Sequence, residues 1–440
     1  MTAMLERPVP TGEAPRTLTE PPPQPLGLVD QVALWGNLGI TLTLPVAAAF
    51  VLRPFGVPPL SLAAALAAVV VGTVIGTALL GLAAVPGAQT GAPAMVLLRG
   101  LLGRRASYAP TVLNLLQCVG WATVEIVVIA EVAARLTSHS LRPLYVLLAG
   151  ALATVMAIRP LGVVRVLRRY AVWAALAATA YLLVQVLREP LSQPAGTSWS
   201  GFWLGTDVVI AIAISWAPLA ADYTRHSRSA RAAFGGAFLG FSAASILYFG
   251  LGVLAIAAAT QPDIDVIDAL LRVPAAGVAL LILVVDEVDE AFANVYSTAI
   301  SAQNLGPRVD RRGLAVAVGG LAIALAFAVD IVAYQNFLYL IGSVFVPLYG
   351  AFIADYYLVR RGRWDVSPSA RERIVMLVPW ALGFIAYQLI NAGSVSWWSS
   401  FWLARQADLG FTPATWMSAS LVSFAVAGLV ALVVGQLSRD

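Results

Sequence analysis

The sequence contains no lysine, one cysteine and two histidines among its 440 residues. Without a lysine, the chain cannot form the phosphate-binding loop that many ATPases use to hold their nucleotide. Cys118 stands alone, and His139 and His226 fall in predicted loops far apart in sequence, so neither a disulfide framework nor a zinc site is available. Only 11% of the residues are charged, against roughly a quarter in soluble domains, which excludes a soluble globular protein.

Long apolar runs replace the missing charges, since 60% of the residues are apolar. A helix needs roughly 20 such residues to cross the hydrocarbon core. The predicted spans are 30–52, 60–84, 108–134, 143–158, 170–187, 204–220, 234–258, 274–302, 314–332, 336–358, 373–391 and 415–437. They predict an all-α polytopic membrane protein with about twelve transmembrane helices. The proline-rich residues 1–27 are predicted to form a disordered tail.

The positive charges are distributed unevenly between the two sides of the predicted bundle. With the N-terminus in the cytoplasm, 21 of the 27 arginines fall in cytoplasmic segments and six in outer loops. This bias predicts a protein of the plasma (inner) membrane with both termini in the cytoplasm. The loops lack the aromatic and base-reading groups that nucleic acid requires. The expected partners are therefore the bilayer and a small molecule, without an obligatory protein partner.

Two predicted spans contain residues that weaken helices. The first holds Gly36, Gly39 and Pro45, and the sixth holds Pro218 in a similar position. Irregular backbone at membrane depth is tolerated where it lines a cavity or is buried in protein. The two spans are five apart, an odd number, so a five-helix repeat would be inverted in the membrane. Such a repeat is typical of secondary transporters with a substrate site at the midplane, although glycine and proline are also common in membrane helices generally.

Span eight contains four carboxylates in five positions, Asp286, Glu287, Asp289 and Glu290. A helical projection at about 100° per residue places Asp286, Glu290, Asn294 and Ser297 on one stripe. A carboxylate at the centre of a span costs at least ~2.5 kcal/mol to insert, so four of them cannot face lipid. They must face water, a cation, arginine or one another as protonated acids. The alternatives are a functional site and a buried polar network that joins helices, for which Glu287 is best suited.

Tryptophans accompany these acids. Trp121 and Glu125 lie one turn apart on span three and share a face, and Trp216 lies beside the interruption of span six. A packing role is the alternative for both rings. Two indole rings and a carboxylate near broken helices suit a flat, hydrogen-bonding heterocycle, because rings stack and polar groups read ring edges.

The residues disfavour two other classes of membrane protein. An enzyme would need a metal site or an activated nucleophile, and the predicted spans contain no histidine with which to build one. A channel arranges like side chains in rings about an axis, whereas the acids of span eight form one asymmetric cluster. We therefore predict a carrier without enzymatic activity and without a cofactor, with Na⁺ as a candidate coupling ion.

Five motifs occur in order between Leu28 and Asp365: "GAQTGAPAMVLLRGLLGRR", "LNLLQCVGWATVEIVVIAE", "SWAPLAADYTRHSR", "VDEVDEAFANVYSTAISAQNL" and "FLYLIGSVFVPLYGAFIADYYLVRRGR". Together they resemble the nucleobase:cation symporter-1 family, the purine–cytosine permeases, and within it bacterial permeases for cytosine or hydroxymethylpyrimidine. The resemblance implies a LeuT-type fold, with two inverted five-helix repeats over residues 28–365. Two further transmembrane helices and a short tail would occupy 366–440.

The resemblance also implies a function. It is the import of a nucleobase-like heterocycle of the cytosine and purine class by symport with Na⁺ or H⁺, through alternating access. Uptake of hydroxymethylpyrimidine, a thiamine precursor, or of allantoin or a hydantoin by the same mechanism are the alternatives. The substrate ring would stack on Trp121 and pack against Trp216. The predicted substrate-binding residues are Thr41, Trp121, Glu125, Trp216, Glu290 and Asn294.

The expected cation site lies between spans one and eight. The resemblance places carbonyl ligands at Asn37, Ile40 and Val285, and hydroxyl ligands six and five residues before Asn294. Those two positions hold Val288 and Asp289, a departure from the family pattern. Asp289 can supply a charged oxygen to sodium, or it can carry a proton itself, because burial favours the protonated carboxyl. We predict that Asp289 is the coupling residue in either case.

Overall fold

The computed structural model describes residues 14–54, 57–166, 170–191, 198–259, 265–328, 334–393 and 395–437. The α-helices within these ranges are α1 Leu28–Asn37, α2 Thr43–Leu52, α3 Leu62–Thr90, α4 Ala94–Leu102, α5 Tyr108–Leu136, α6 Arg142–Ile158, α7 Pro160–Val166, α8 Val172–Val186, α9 Phe202–Ser215, α10 Ala217–Thr224, α11 Ala230–Gly235, α12 Phe241–Ala258, α13 Val266–Leu271, α14 Ala276–Asp286, α15 Val288–Leu305, α16 Arg311–Ala326, α17 Tyr334–Ile353, α18 Leu377–Ile390, α19 Ser396–Asp408 and α20 Ala419–Leu437. The described ranges contain no β-strand, and the predicted all-α fold class is confirmed.

Seven helical stretches of the described chain are long and apolar enough to cross a membrane. They are Leu62–Thr90, Tyr108–Leu136, His139–Ile158, Phe202–Thr224, Ala230–Ala258, Phe337–Val359 and Ala419–Leu437. The other predicted spans correspond to shorter or interrupted helices, namely α1 with α2, α8, α14 with α15, α16 and α18. Each predicted span therefore has a helical counterpart, as expected for a polytopic membrane protein.

The helices form two packed groups with a shared interface. The first group is built around α3, which packs against α9, α10 and α12, while α2 packs against α12 and α9. The second group is built around α15, which packs against α5, α6 and α16. The broken helices α1–α2 and α9–α10 of the first group meet the acid-bearing α15 of the second. This interface contains the candidate site.

Both predicted interruptions are real breaks, and the position of the proline explains each one. Pro45 is the third residue of α2, and Pro218 is the second residue of α10. In the first turn of a helix the N–H that proline lacks would have no intrahelical partner, so proline begins the second half at little cost. Gly39 lies in the first break, where an added Cβ would come within 2.7 Å of the Ala244 Cβ.

Span eight contains a third break that its sequence does not announce with glycine or proline. Helix α14 ends at Asp286 and α15 begins at Val288, with Glu287 between them. Asp289 and Glu290 therefore occupy the first turn of α15, where the partial positive charge of the helix N-terminus favours carboxylates. An acidic run inside an apolar span can therefore indicate where a new helix begins within that span.

The face of the bundle that carries both described chain ends, here called the terminal face, is crossed by residues 14–27. These belong to the segment for which composition predicts a disordered tail; residues 1–13 lie outside the described residues. The Leu26 N–H donates to the His226 carbonyl over 3.0 Å, and the Arg228 N–H donates to the Leu26 carbonyl over 2.8 Å. At the other end, the buried Arg311 donates to the Pro15 carbonyl over 3.1 Å. The segment thus connects the loop after α10 with the start of α16.

The contact of His226 with this segment makes stability dependent on pH. Its Nδ1 lies 2.8 Å from the Pro23 carbonyl and donates to it, while burial and, secondarily, the Arg225 guanidinium lower the pKa of His226 to about 3. In the unfolded chain the pKa is about 6.5. Between these values only the unfolded state binds the proton. The contribution of neutral His226 is complete above about pH 6.5 and falls with decreasing pH by about 1.4 kcal/mol per unit.

We expect the H226N variant, whose amide can still donate to Pro23, to lack this pH dependence. The difference in unfolding temperature between the wild type and the variant in detergent should narrow as the pH falls from about 7 to about 5. A difference that stays constant over this interval would contradict a neutral buried imidazole.

Candidate functional site

A small cavity, here called the central cavity, lies where the broken helices meet α5 and α15. It is lined by Thr41, Thr43, Leu44, Trp121, Glu125, Ile212, Ser215, Trp216, Leu219, Phe241, Glu290 and Asn294. All six predicted substrate-binding residues are among them. The cavity volume is about 20 Å³, enough for a water molecule but not for a heterocycle. A ring can enter only if the two helix groups move apart.

Two tryptophans form opposite parts of the cavity wall. Trp216 occupies the junction between α9 and α10, and its ring packs edge-to-face on Trp35 with centroids 6.1 Å apart. Trp121 packs against Phe337 with centroids 5.4 Å apart. Both indoles are more than nine-tenths buried. Their neighbours hold the rings in place, so that each ring offers a flat apolar surface to the cavity.

The break at Trp216 leaves carbonyl groups without helical partners, and α5 supplies one. Gln117 Nε2 donates to the Ser215 carbonyl over 3.1 Å. Gln117 lies one turn before Trp121 on the same face of α5, so the residue that positions the break is adjacent to the ring. Gln117 was not among the predicted site residues, although its spacing of four residues from Trp121 places both side chains on one face of the helix.

Glu125, Glu290 and Asn294 present the polar groups of the cavity. Glu125 Oε2 and Glu290 Oε1 are buried and have no hydrogen-bond partner among the described residues. Asn294 Nδ2 donates to the carbonyl of Glu290 over 3.1 Å, which fixes the amide against its own helix. Buried polar atoms without partners are rare in folded proteins. Two carboxyl oxygens in one cavity are therefore acceptors available to a ligand.

Glu287 joins the two helix groups at their breaks. Its carboxylate accepts from the Thr41 hydroxyl over 2.6 Å and from the Leu42 N–H over 2.7 Å, immediately before α2. Thr41 thus faces the cavity while its hydroxyl is engaged by Glu287.

Removing this carboxylate should strongly destabilise the protein. Hydrogen bonds to charged groups contribute about 1.5–3 kcal/mol each, and Glu287→Ala leaves two buried donors without an acceptor. We expect the free energy of unfolding to fall by on the order of 3–5 kcal/mol, and by less in Glu287→Gln, which keeps one acceptor. Thermal unfolding in detergent measures this, with the exposed Glu189→Ala as control. Unfolding of Glu287→Ala at the wild-type temperature would contradict the structural role.

The four predicted cation-site residues are not equivalent in the structure. Asn37 Nδ2 donates to Asp289 Oδ2 across the interface between α1 and α15, and Asp289 Oδ1 has no partner among the described residues. The Ile40 N–H donates to the Asn37 carbonyl over 2.9 Å, so these two residues form one turn at the break. The Val285 side chain is 66% exposed on the outer surface of the bundle, and only its backbone could contribute.

The stripe predicted on span eight is only partly found at the site. Glu290 and Asn294 line the central cavity, whereas Asp286, before the break, and Ser297, further along α15, do not. Within the described residues, no group of three or more His, Cys, Asp or Glu side chains is arranged to hold a metal ion. A cation at Asp289 would therefore depend on backbone and amide oxygens for its other ligands.

Comparison with known proteins gives two independent matches. A family described as permeases for cytosine/purines, uracil, thiamine and allantoin matches residues 46–374. No curated protein matches. Among solved structures, Mhp1, a nucleobase–cation symport-1 family transporter, in a closed conformation with bromovinylhydantoin bound, aligns with TM-score 0.73 and 18% identity, covering 97% of this chain and 95% of that one.

Two further structures share the fold. The inward-facing conformation of Mhp1 aligns with TM-score 0.69 and 18% identity over 99% of this chain and 95% of that one. MhsT in complex with L-phenylalanine aligns with TM-score 0.51 and 13% identity over 93% of this chain and 97% of that one. The protein is a membrane transporter rather than an enzyme, and the chain belongs to the family of permeases for cytosine/purines, uracil, thiamine and allantoin.

Proposed function

We propose that this transporter imports a nucleobase-like heterocycle of the cytosine and purine class by symport with Na⁺ or H⁺. The observation that supports it best is the central cavity, in which Trp121 and Trp216 offer ring surfaces beside the unpartnered carboxyl oxygens of Glu125 and Glu290. Stacking holds a flat ring and carboxyl groups read its edge. The arginine distribution supports a topology in the plasma (inner) membrane with both termini in the cytoplasm.

The polar groups of the cavity favour one kind of ring edge. A carboxylate only accepts hydrogen bonds, whereas a protonated carboxyl group also donates one. Glu125 and Glu290 can therefore accept from an amino group or a ring N–H and, when protonated, donate to a ring nitrogen or carbonyl. Cytosine presents these donors and acceptors side by side, and the aminopyrimidine ring of hydroxymethylpyrimidine presents a similar edge.

Coupling would arise at the contact between α1 and α15. Asn37 and Asp289 join the two helix groups there, and Asp289 retains one oxygen without a partner. A sodium ion or proton bound by that oxygen would change the interaction between the groups. Ion binding would thereby alter the equilibrium between conformations that open the cavity to opposite faces. No protein partner or resident cofactor enters this mechanism.

Thermal unfolding of the purified protein tests the substrate class. The panel is cytosine, hydroxymethylpyrimidine, adenine, hypoxanthine, uracil, allantoin and a hydantoin, each with and without sodium. A compound that binds only the folded state raises the apparent stability. We expect an aminopyrimidine to stabilise most strongly. Stabilisation by a hydantoin alone would exclude the cytosine class, and stabilisation by none of the compounds would contradict the proposed site.

A further inference from the structure

A second, larger cleft lies on the terminal face, away from the central cavity. Its volume is about 590 Å³, and it opens between α4, residues 360–375 and the end of α20. Of the described residues, five arginines line it, namely Arg99, Arg360, Arg363, Arg371 and Arg373, against two acids, Asp365 and Glu372. This described part of the lining therefore carries an excess of three positive charges (five minus two). This concentration points to an anionic ligand.

Hydrogen bonds hold the side chains in the inner part of the cleft. Arg373 binds both oxygens of Asp355 over 2.7 and 2.9 Å and also donates to the Gly100 carbonyl. Asp355 neutralises the charge of Arg373. Glu372 is held by backbone donors, since it accepts from the Arg105 N–H over 2.8 Å. These contacts fix the floor, while Arg363 and Arg371 are exposed at the mouth.

The cleft also has an apolar border that faces the membrane. Ile374 is 63% exposed and Val375 45% exposed at the start of span eleven, and Leu437 is 80% exposed at the end of span twelve. Trp364, a residue type enriched where bilayers meet water, forms part of the wall. Arginines on one side and lipid-facing aliphatic groups on the other match the two parts of a phospholipid.

We propose that this cleft binds the phosphate group of an anionic phospholipid of the leaflet at the terminal face, with the acyl chains along the apolar border. The arginine guanidinium matches a phosphate in shape and charge. Basic pockets between transmembrane helices bind anionic headgroups in the same way. The lipid would tie α4 of the core to the final two spans and thereby stabilise their arrangement.

The test measures thermal unfolding in detergent micelles containing either phosphatidylglycerol or phosphatidylcholine at equal lipid content, with native mass spectrometry to count retained lipids. We expect phosphatidylglycerol to stabilise the wild type and to be retained. The double variant Arg363→Gln with Arg371→Gln should need on the order of tenfold more phosphatidylglycerol for the same effect. The matched control is Arg231→Gln with Arg308→Gln, which removes two exposed arginines of the same face outside the cleft.

Soluble glycerol phosphate separates a lipid site from a simple anion site. Equal stabilisation by glycerol phosphate and by phosphatidylglycerol would overturn the lipid assignment, because the apolar border would then contribute nothing. Equal loss of the lipid effect in the control pair would also overturn the proposal, since it would indicate general surface charge. Both outcomes are independent of whether the central cavity transports a nucleobase.

Discussion

In the Asp289→Asn variant, gradient-driven accumulation of substrate in proteoliposomes is expected to fall to background, on the order of a hundredfold, while substrate counterflow continues. Asparagine can still accept from Asn37 Nδ2 through its amide oxygen, so the contact between α1 and α15 is retained. It cannot bind a proton and supplies no charge to a sodium ion. Coupling should therefore be lost without loss of the substrate site.

The Asp207→Asn variant is the matched control. Asp207 is also a buried aspartate, but it accepts from the Ser418 hydroxyl and from the Ala419 N–H over 2.8 Å at the start of α20, outside the central cavity. If this substitution has an effect, it should lower uptake and counterflow together. Unchanged accumulation by Asp289→Asn under both sodium and proton gradients would reject Asp289 as the coupling residue.

Trp121→Ala is expected to weaken substrate binding by tenfold to a hundredfold. Stacking of a base on an aromatic side chain contributes about 1–3 kcal/mol, and Trp121 forms a wall of the central cavity. Trp121→Phe, which keeps an aromatic face, should lose much less. The measurement is the concentration of the most strongly stabilising compound that gives half of its maximal thermal shift.

Trp397→Ala provides the control for a general effect of losing an indole. Trp397 lies on α19 and is 71% exposed, far from the cavity lining. Its loss should leave the half-maximal concentration unchanged. If Trp121→Ala binds as tightly as the wild type, the ring does not stack on Trp121, and another surface of the cavity must hold the substrate.

Much of this organisation can be read from local sequence. Hydropathy locates the spans because crossing the bilayer requires a continuous apolar run. Pro45 and Pro218 indicate two breaks because proline is best tolerated in the first turn of a helix, although Pro86 and Pro347 lie inside α3 and α17. The pairing of Trp121 with Glu125 follows from a spacing of one turn. The family resemblance indicated the other cavity residues, and all six predicted substrate-binding residues line the central cavity.

Other features depend on partners that are remote in sequence. Glu287 is one of four neighbouring acids, and the helical projection suggested a structural role for it without indicating its partners. Its role follows from the Thr41 hydroxyl, 246 positions away. The terminal segment likewise finds its partners on the loop after α10 and at Arg311, so its proline-rich composition alone suggested disorder.

Composition and hydropathy were sufficient to specify a helical membrane protein, because the cost of placing polar groups in lipid acts on each segment separately. The different roles of the four acids of span eight depend on the tertiary structure. A buried carboxyl group is stable only with a partner, and packing selects that partner. Glu287 thus links the broken helices, Asp289 accepts a hydrogen bond from Asn37, and Glu290 lines the central cavity.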